Sequence, residues 1–252
     1  DDDEDISYSI ATPYREAAYD PSAAEAFFRQ RPLAPLRRFV KLAQLSSGFL
    51  MATALDKVLK REEEAVDARS QQLLELVTKL GPTFVKVGQA LSIRTDLLPA
   101  PYVAGLAQLQ DAVPPFSGAA GRAIIERELG IRLDETFSTI SLDPVASASI
   151  GQVYRATLRE GGGEVAVKVQ RPNVLYNVAL DLYVLRELLV PLYQKLNPEA
   201  NTDLTGLVDA WGEGFVNELD YKREAAATTA FSAAMEQRGL GSVTAPEVVP
   251  GL

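Results

Sequence analysis

The chain has 252 residues, of which 47% are hydrophobic, and it carries a formal net charge of −9 at pH 7. This length allows one large domain or two modest ones with a real core, and the negative charge argues against a broad nucleic-acid-binding surface. The sequence has no cysteine and no histidine, which excludes disulfides, thiolate metal sites and the commonest general base.

Residues 1–34 are predicted to form an acidic tail followed by a basic linker. The chain opens with DDDED, which is typical of a solvated tail. It starts without methionine, so we interpret any targeting segment as already removed. Basic residues then cluster in FFRQRPLAPLRRFVKLAQL. This cluster fits either contact with an anionic membrane surface or the start of an ordinary amphipathic helix after Pro35. No stretch of about 18 apolar residues occurs, so no membrane span is predicted.

Residues 35–116 are predicted to be helical up to a linker at AVPPF, residues 112–116. Apolar residues recur at three- and four-residue spacing in two successive helices. They are Leu42, Leu45, Phe49, Ala52 and Leu55 in the first helix, and Leu73, Leu76, Val77 and Leu80 in the second. Gly81 and Pro82 are the glycine stop of the second helix and the proline start of a third.

The third helix carries polar residues and a glycine within KLGPTFVKVGQALSIRTDLLP, residues 79–99. Its apolar face is predicted to consist of Phe84, Val87 and Leu91. Lys86 and Gln89 share another face, and Gly88 lowers the stability of the helix by ~1 kcal/mol relative to alanine. Two interpretations are open: a solvated face with a tolerated glycine, or a specific contact that needs close backbone approach at Gly88.

The second half of the chain changes character near Leu142. A short helix at residues 121–130 comes before strands, and Val165, Val167 and Val169 alternate with polar or small residues as in a two-faced strand. Gly161, Gly162 and Gly163 predict the hairpin before it. Long helices are predicted at residues 178–196 and 202–235, the second capped by Thr202 or Asp203. The final segment, VTAPEVVPGL, is typical of another strand.

The strand, small-residue turn, strand, hairpin and lysine strand together predict a phosphate-binding layout. Small side chains let backbone N–H groups approach phosphate oxygens, and a lysine supplies a point charge. Gly151, Val153 and Ala156 fit the second half of a kinase glycine-rich loop, and VAVK at residues 165–168 fits the kinase lysine strand. The alternative is a lysine on an ordinary edge strand.

Four segments in this order resemble the UbiB family of atypical kinase-like proteins: KVGQ at 86–89, ASASIGQVYRA at 146–156, VAVKVQRP at 165–172 and NELDYKREA at 217–225. The resemblance implies an α+β fold. A protein-kinase-like small lobe, with an antiparallel sheet and helix C, carries an N-terminal helical extension packed over the nucleotide cleft. We divide the chain accordingly into the tail and linker (1–34), the helical extension (35–116) and a small lobe (117–252) truncated before the large lobe.

The resemblance also implies residue roles. Lys168 and Glu224 are the catalytic lysine and its helix-C partner. The nucleotide-binding set comprises Ala146, Ser147, Ala148, Ser149, Ile150, Gly151, Val153, Ala166 and Lys168, with serine at 147 where the family has alanine. The regulatory set comprises Lys86, Gly88, Gln89, Glu218 and Asp220. We expect Gly88 to approach the small lobe closely, Lys86 and Gln89 to point into the cleft, and Lys86 to pair with Glu218.

The function that the resemblance implies is the ATP-binding and regulatory part of an atypical kinase or ATPase that supports isoprenoid quinone or prenyl-lipid metabolism. ATP is the expected ligand, with Mg²⁺ held by ligands in the large lobe and no metal ligands here. No DFG occurs, so this chain alone is expected to be inactive. The alternative is a non-enzymatic helical module that binds a lipid, a membrane surface or a partner. The sequences of two segments are similar to those of plastid members of this family, which predicts a chloroplast location. Thylakoid or lipid-droplet association is a finer expectation, and the mitochondrion is the alternative location.

Overall fold

The computed structural model describes residues 11–14, 18–96, 98–110, 114–199 and 203–252, and the DDDED tail, the first two linker residues and Thr202 lie outside these ranges. The helices are α1 (Pro21–Arg29), α2 (Leu33–Val58), α3 (Glu62–Leu80), α4 (Pro82–Leu91), α5 (Ala100–Ala107), α6 (Gly118–Leu129), α7 (Leu133–Thr136), α8 (Val174–Val184), α9 (Val190–Leu196), α10 (Leu204–Glu218) and α11 (Tyr221–Gln237). The strands are β1 (Phe137–Ile140), β2 (Ala146–Ser147), β3 (Gly151–Leu158) and β4 (Glu164–Gln170).

The segment predicted as a basic linker contains helix α1. Asp20 caps it by accepting hydrogen bonds from the N–H groups of Ser22 and Ala23, and Pro21 occupies the first turn. Phe28 at its end is 1% exposed and packs in the main helical core. The sequence prediction missed this helix, although Asp20 followed by Pro21 is a signal for a helix start.

The helical extension forms as predicted, but its buried faces differ from the predicted ones. Gly81 ends α3 with a φ of 103°, a conformation that favours glycine, and Pro82 begins α4. Along α4 the buried residues are Thr83, Val85 and Gly88, while the predicted apolar face is only half-buried. Helix α4 is packed on two sides, against the α3–α5 core and the main core, so a single-face pattern could not describe it.

The four strands form one antiparallel sheet with β3 at its centre. β4 pairs along one edge of β3, and β1 and β2 pair in succession along the other. The β3–β4 hairpin and the alternation along β4 confirm the sequence prediction. Strand β1 was not predicted, because its four residues follow helix α7 directly and show little alternation.

Two long predicted helices are interrupted. The first contains a π-helical segment, Leu185–Leu189, followed by Pro191, whose ring cannot fit a regular α-helical turn. The second is two helices, because α10 ends at Glu218 and α11 begins after Asp220, whose side chain accepts from the N–H of Arg223. Asp203 caps α10, as predicted.

The predicted C-terminal strand is wrong. Residues 243–249 carry no regular secondary structure and pair with no strand of the described sheet. The two prolines of VTAPEVVPGL, Pro246 and Pro250, lack the N–H that a sheet ladder needs, which gives the physical reason. In the described ranges, no helix has the length and apolarity needed to cross a bilayer.

A buried ion pair ties the helical extension to the rest of the molecule. The Arg38 guanidinium on α2 donates to both carboxylate oxygens of Asp181 on α8, at 2.5 and 3.0 Å, and to the carbonyl of Leu80 at 2.6 Å. Asp181 is 1% exposed. Helices α2, α3 and α8 are therefore fixed to one another next to the start of helix α4.

Candidate functional site

An open cavity of about 320 Å³ lies where the sheet meets helix α4, and this volume falls in the usual range for ligand sites. Its lining residues come from α4, the β2–β3 turn, β3, β4 and the start of α11. They are Lys86, Gln89, Ala146, Ser147, Ala148, Ser149, Ile150, Gly151, Gln152, Val153, Lys168 and Tyr221.

Lys168 is held in the cavity by a carboxylate and an aromatic ring. Its Nζ donates to Glu224 Oε2 at 2.6 Å and Oε1 at 2.8 Å. The same Nζ lies 4.5 Å from the centre of the Tyr221 ring, a distance suited to a cation–π contact. Because both side chains of the ion pair are about half exposed, its net stabilisation is that of a surface pair, ~1 kcal/mol at most. An anionic ligand can compete for this lysine.

The small-residue turn between β2 and β3 is fixed by Arg171. The N–H of Ala148 donates to the Gly151 carbonyl at 2.8 Å, which closes the turn. The Arg171 side chain donates to the Ala148 carbonyl at 3.1 Å, to Ser147 Oγ at 3.2 Å and to the Pro114 carbonyl at 2.5 Å. The turn is therefore held to the linker that precedes α6.

Lys86 on α4 forms the predicted ion pair with Glu218 at the end of α10. Gln89, one turn further along α4, lines the cavity and donates to the Leu109 carbonyl at 3.0 Å. The cavity thus lies between the extension and the sheet, as the sequence predicted for Lys86 and Gln89.

Gly88 approaches a different partner from the predicted one. A Cβ atom at this position would lie 2.5 Å from Leu109 Cδ1 and 3.0 Å from Val77 Cγ1. Both residues belong to the helical extension, so the close approach is inside it and not against the small lobe. The backbone contact at Gly88 explains why the helix tolerates a poor helix former.

Three predicted site residues neither line the cavity nor pair with a lysine that lines it. Ala166 is exposed on β4, two residues before Lys168. Asp220 caps helix α11, and Gly88 is buried in the extension. The remaining predicted residues either line the cavity or pair with a lysine that does.

Sequence reasoning assigned no role to Arg171, Tyr221 or Gln152. Tyr221 has a hydroxyl without a hydrogen-bond partner in the described residues, and burial raises its pKa to about 12. Gln152 is buried, accepting from the N–H of Phe116 at 3.2 Å. Arg171 lies within the quoted VAVKVQRP segment, and its position just after the lysine strand was the available signal.

The arrangement suits an anion better than a cation. Lys168 supplies a positive charge, and the N–H groups of Ser149 and Ile150 donate to no other described residue. Proteins commonly bind phosphate oxygens with backbone N–H groups of a turn that donate no hydrogen bond within the protein. Across the described residues, no cluster of three or more side chains could hold a metal ion.

Comparisons with known proteins agree with this geometry. A sequence profile described as the ABC1 atypical kinase-like domain matches residues 108–252. Among relatives, a chloroplastic aarF domain-containing protein kinase of Arabidopsis thaliana is 41% identical over 207 residues, which cover 82% of this chain and 30% of the relative. The Arabidopsis thaliana protein ACTIVITY OF BC1 COMPLEX KINASE 3, chloroplastic, is 40% identical and is covered to 29%.

A Synechocystis protein is 41% identical over 206 residues, covering 82% of this chain and 36% of the relative. The chain therefore spans roughly a third of the length of these relatives. A solved structure of the complex of Rv3197 with erythromycin, from Mycobacterium tuberculosis, is 35% identical, covering 69% of this chain and 44% of that chain with a TM-score of 0.41.

Proposed function

This chain belongs to the ABC1 atypical kinase-like family, also called the UbiB or aarF family, and we propose that it is the ATP-binding and regulatory part of an atypical kinase or ATPase. Its fold is a kinase-like small lobe, made of a four-stranded antiparallel sheet with helices, preceded by a helical extension. Because relatives are about three times longer, the proposal assigns nucleotide binding to this chain and the completed reaction to the full-length protein.

The observation that carries this proposal is the position of Lys168. It faces the cavity on the strand that pairs with β3, with Val153 as its cross-strand partner. Its Glu224 partner lies in the first turn of α11. A lysine on a strand that pairs with a helix glutamate beside a phosphate-binding turn is the small-lobe arrangement of protein kinases.

The cavity residues fit a nucleotide polyphosphate. Lys168 would contact phosphate oxygens. The turn from Ala146 to Ile150 would surround these oxygens with small side chains and with N–H groups that donate no hydrogen bond within the described protein. When bound, ATP supplies the transferable phosphoryl group. The proposal assigns the Mg²⁺ ligands to the large lobe, since the charged side chains that line this cavity, Lys86 and Lys168, are cations and cannot coordinate a metal ion.

We further propose a plastid role in isoprenoid quinone or prenyl-lipid metabolism. Relatives at about 40% identity are named chloroplastic, which supports the plastid location that the sequence predicts. The metabolic role comes from the resemblance to the UbiB family. It would be tested by measuring plastid prenyl-lipid content in plants that lack the gene, where unchanged content would argue against it.

Nucleotide binding is tested with Lys168→Met in the full-length protein. We expect ATP affinity measured by calorimetry to fall at least about tenfold, because one charge-assisted contact is worth more than 1.4 kcal/mol. Lys195→Met is the matched control, since Lys195 is an exposed lysine on α9 away from the cavity. Equal ATP affinity in wild type and Lys168→Met would remove Lys168 from the site.

A second candidate function is membrane contact through helix α2. One face of this helix stays exposed and apolar within the described structure, with Met51 at 73% and Val58 at 77% exposed. The other exposed apolar residues of α2 are Leu33, Leu36, Val40, Leu50 and Leu55. The exposed basic residues Arg37, Lys41 and Lys57 also lie on α2, so the helix combines the two features of an interfacial helix. Leu55, which the sequence placed in the apolar repeat of this helix, is therefore exposed and not part of the core.

Vesicle flotation separates this candidate from an ordinary surface. Wild-type protein should float with vesicles that contain anionic phosphatidylglycerol more than with neutral phosphatidylcholine vesicles. Met51→Ser with Val58→Ser should abolish the difference, because both substitutions remove apolar area from the contact. Leu142→Ser is the control, since Leu142 is equally exposed but lies outside α2. Equal flotation of all variants would exclude this helix as the contact.

A further inference from the structure

Arg171 contacts two separate segments beside the cavity, the small-residue turn and the linker. It follows β4 directly, three residues after Lys168. Its side chain reaches the turn at Ala148 and Ser147 and the linker carbonyl of Pro114. Its own backbone N–H donates to the Ile150 carbonyl at 2.9 Å. The guanidinium also lies 5.5 Å from the ring centre of Phe116.

Arg171 differs from the other part-buried arginines in the groups that it pairs with. Arg38, Arg69 and Arg186 each pair with an aspartate, at 2.5, 2.6 and 2.8 Å. Arg171 donates to two carbonyls and a hydroxyl, and no carboxylate of the described chain balances its charge. Burial lowers its pKa. A half-buried cation without a counter-charge is unfavourable, and an anionic ligand in the adjacent cavity would relieve it.

The contacts also orient the turn. Arg171 occupies the carbonyl oxygens of Ala148 and Ile150, which are the groups that would repel a phosphate. The N–H groups of Ser149 and Ile150 donate no hydrogen bond to any described residue. The negative end of the Ala148–Ser149 peptide dipole is therefore bound to the guanidinium, and its positive end, the Ser149 N–H, stays available.

We propose that Arg171 is a positioning residue for nucleotide phosphates: it fixes the small-residue turn to the linker of residues 114–116 and supplies the positive charge behind that turn. This inference rests on the proposed function, because it names the group that prepares the same site for a polyphosphate. It differs from the role of Lys168, since Arg171 acts through the turn and need not touch the ligand.

The test compares ATP and ADP affinities of the full-length protein by calorimetry. Arg171→Met removes both the charge and the contacts, and it should weaken ATP binding about tenfold and ADP binding less, because the lost field acts most on the larger phosphate charge. Arg171→Lys keeps the charge but not the forked contacts, so its loss should be smaller. Arg155→Met is the control, an exposed arginine on β3 that pairs with Glu164.

The outcomes separate this inference from the proposed function. Wild-type protein that binds no ATP would overturn both. Wild-type binding with unchanged ATP affinity in Arg171→Met, or with equal losses for ATP and ADP, would overturn the role of Arg171 alone, because a merely structural residue affects both nucleotides equally. If Arg171→Met does not fold, Arg171→Gln, which also removes the charge but keeps a polar side chain, decides by the same ratio. A larger loss for ATP in that variant supports the proposal, and an equal loss overturns it.

Discussion

The ion pair between Lys86 and Glu218 should connect the helical extension to the end of α10 with a measurable coupling energy. The perturbation is Lys86→Ala, Glu218→Ala and the double variant. Each single change removes one charge, and the double change removes the pair, so the coupling is the part of the loss that the two single variants share.

The expected magnitude follows from how far each side chain is removed from water. The Lys86 side chain is 22% exposed and the Glu218 side chain is 46% exposed. Fully exposed pairs contribute between zero and ~1 kcal/mol. Because Lys86 is mostly covered, we expect a coupling of about 1 kcal/mol, at the upper end of this range. Deeper burial would raise the cost of removing only one partner.

The assay is urea unfolding of the four proteins, with a second cycle on an exposed pair as control. Lys79 and Glu75 on α3 lie 3.7 Å apart with both side chains more than half exposed, so their coupling should be close to zero. A Lys86–Glu218 coupling no larger than this control would refute the reasoning. Altered ATP affinity in each single variant, measured on the full-length protein, would show that the ion pair also affects nucleotide binding in the cavity.

Three further predictions concern packing, the turn and the buried ion pair. Gly88→Ala should lower the free energy of unfolding by about 1 kcal/mol despite better helix propensity, because Leu109 is buried and cannot move aside; unchanged urea unfolding would contradict this. Ala148→Gly should change the ratio of ATP to ADP affinity by loosening the turn, and an unaltered ratio would count against gating. Arg38→Met should destabilise the fold by about 3 kcal/mol, and added Asp181→Leu should restore most of the loss; urea unfolding of both variants decides.

Local signals in the sequence predicted what local geometry determines. Gly81 and Pro82 predicted a helix end and a helix start, because backbone conformation at these residues limits the chain whatever surrounds it. The alternation along β4 predicted a two-faced strand and put Lys168 on one face. The individual residues of the cavity came from the resemblance of the ordered motifs to a known family, and not from local geometry.

Contacts between distant segments were beyond the sequence pattern. The partner of Gly88 is Leu109, twenty-one residues along the chain, and no periodicity identifies it. Arg171 contacts Pro114 and Ala148 from the end of a strand, so its neighbours become visible only when the sheet and the linker are assembled. The break between α10 and α11 depends on the cap at Asp220, a single residue in an otherwise helical pattern.

The segment between α10 and α11 joins the two ion pairs of the site. Glu218 pairs with Lys86 of the extension, and Glu224 pairs with Lys168 of the sheet. Between them, Gln170 of β4 donates to a backbone carbonyl of this segment at 2.8 Å. A phosphate that draws Lys168 away from Glu224 would remove one of the contacts that fix the segment, and the strength of the Lys86 pair would then respond. Because such coupling is reciprocal, a variant that breaks the Lys86 pair must change nucleotide affinity by the same factor by which nucleotide changes the pair.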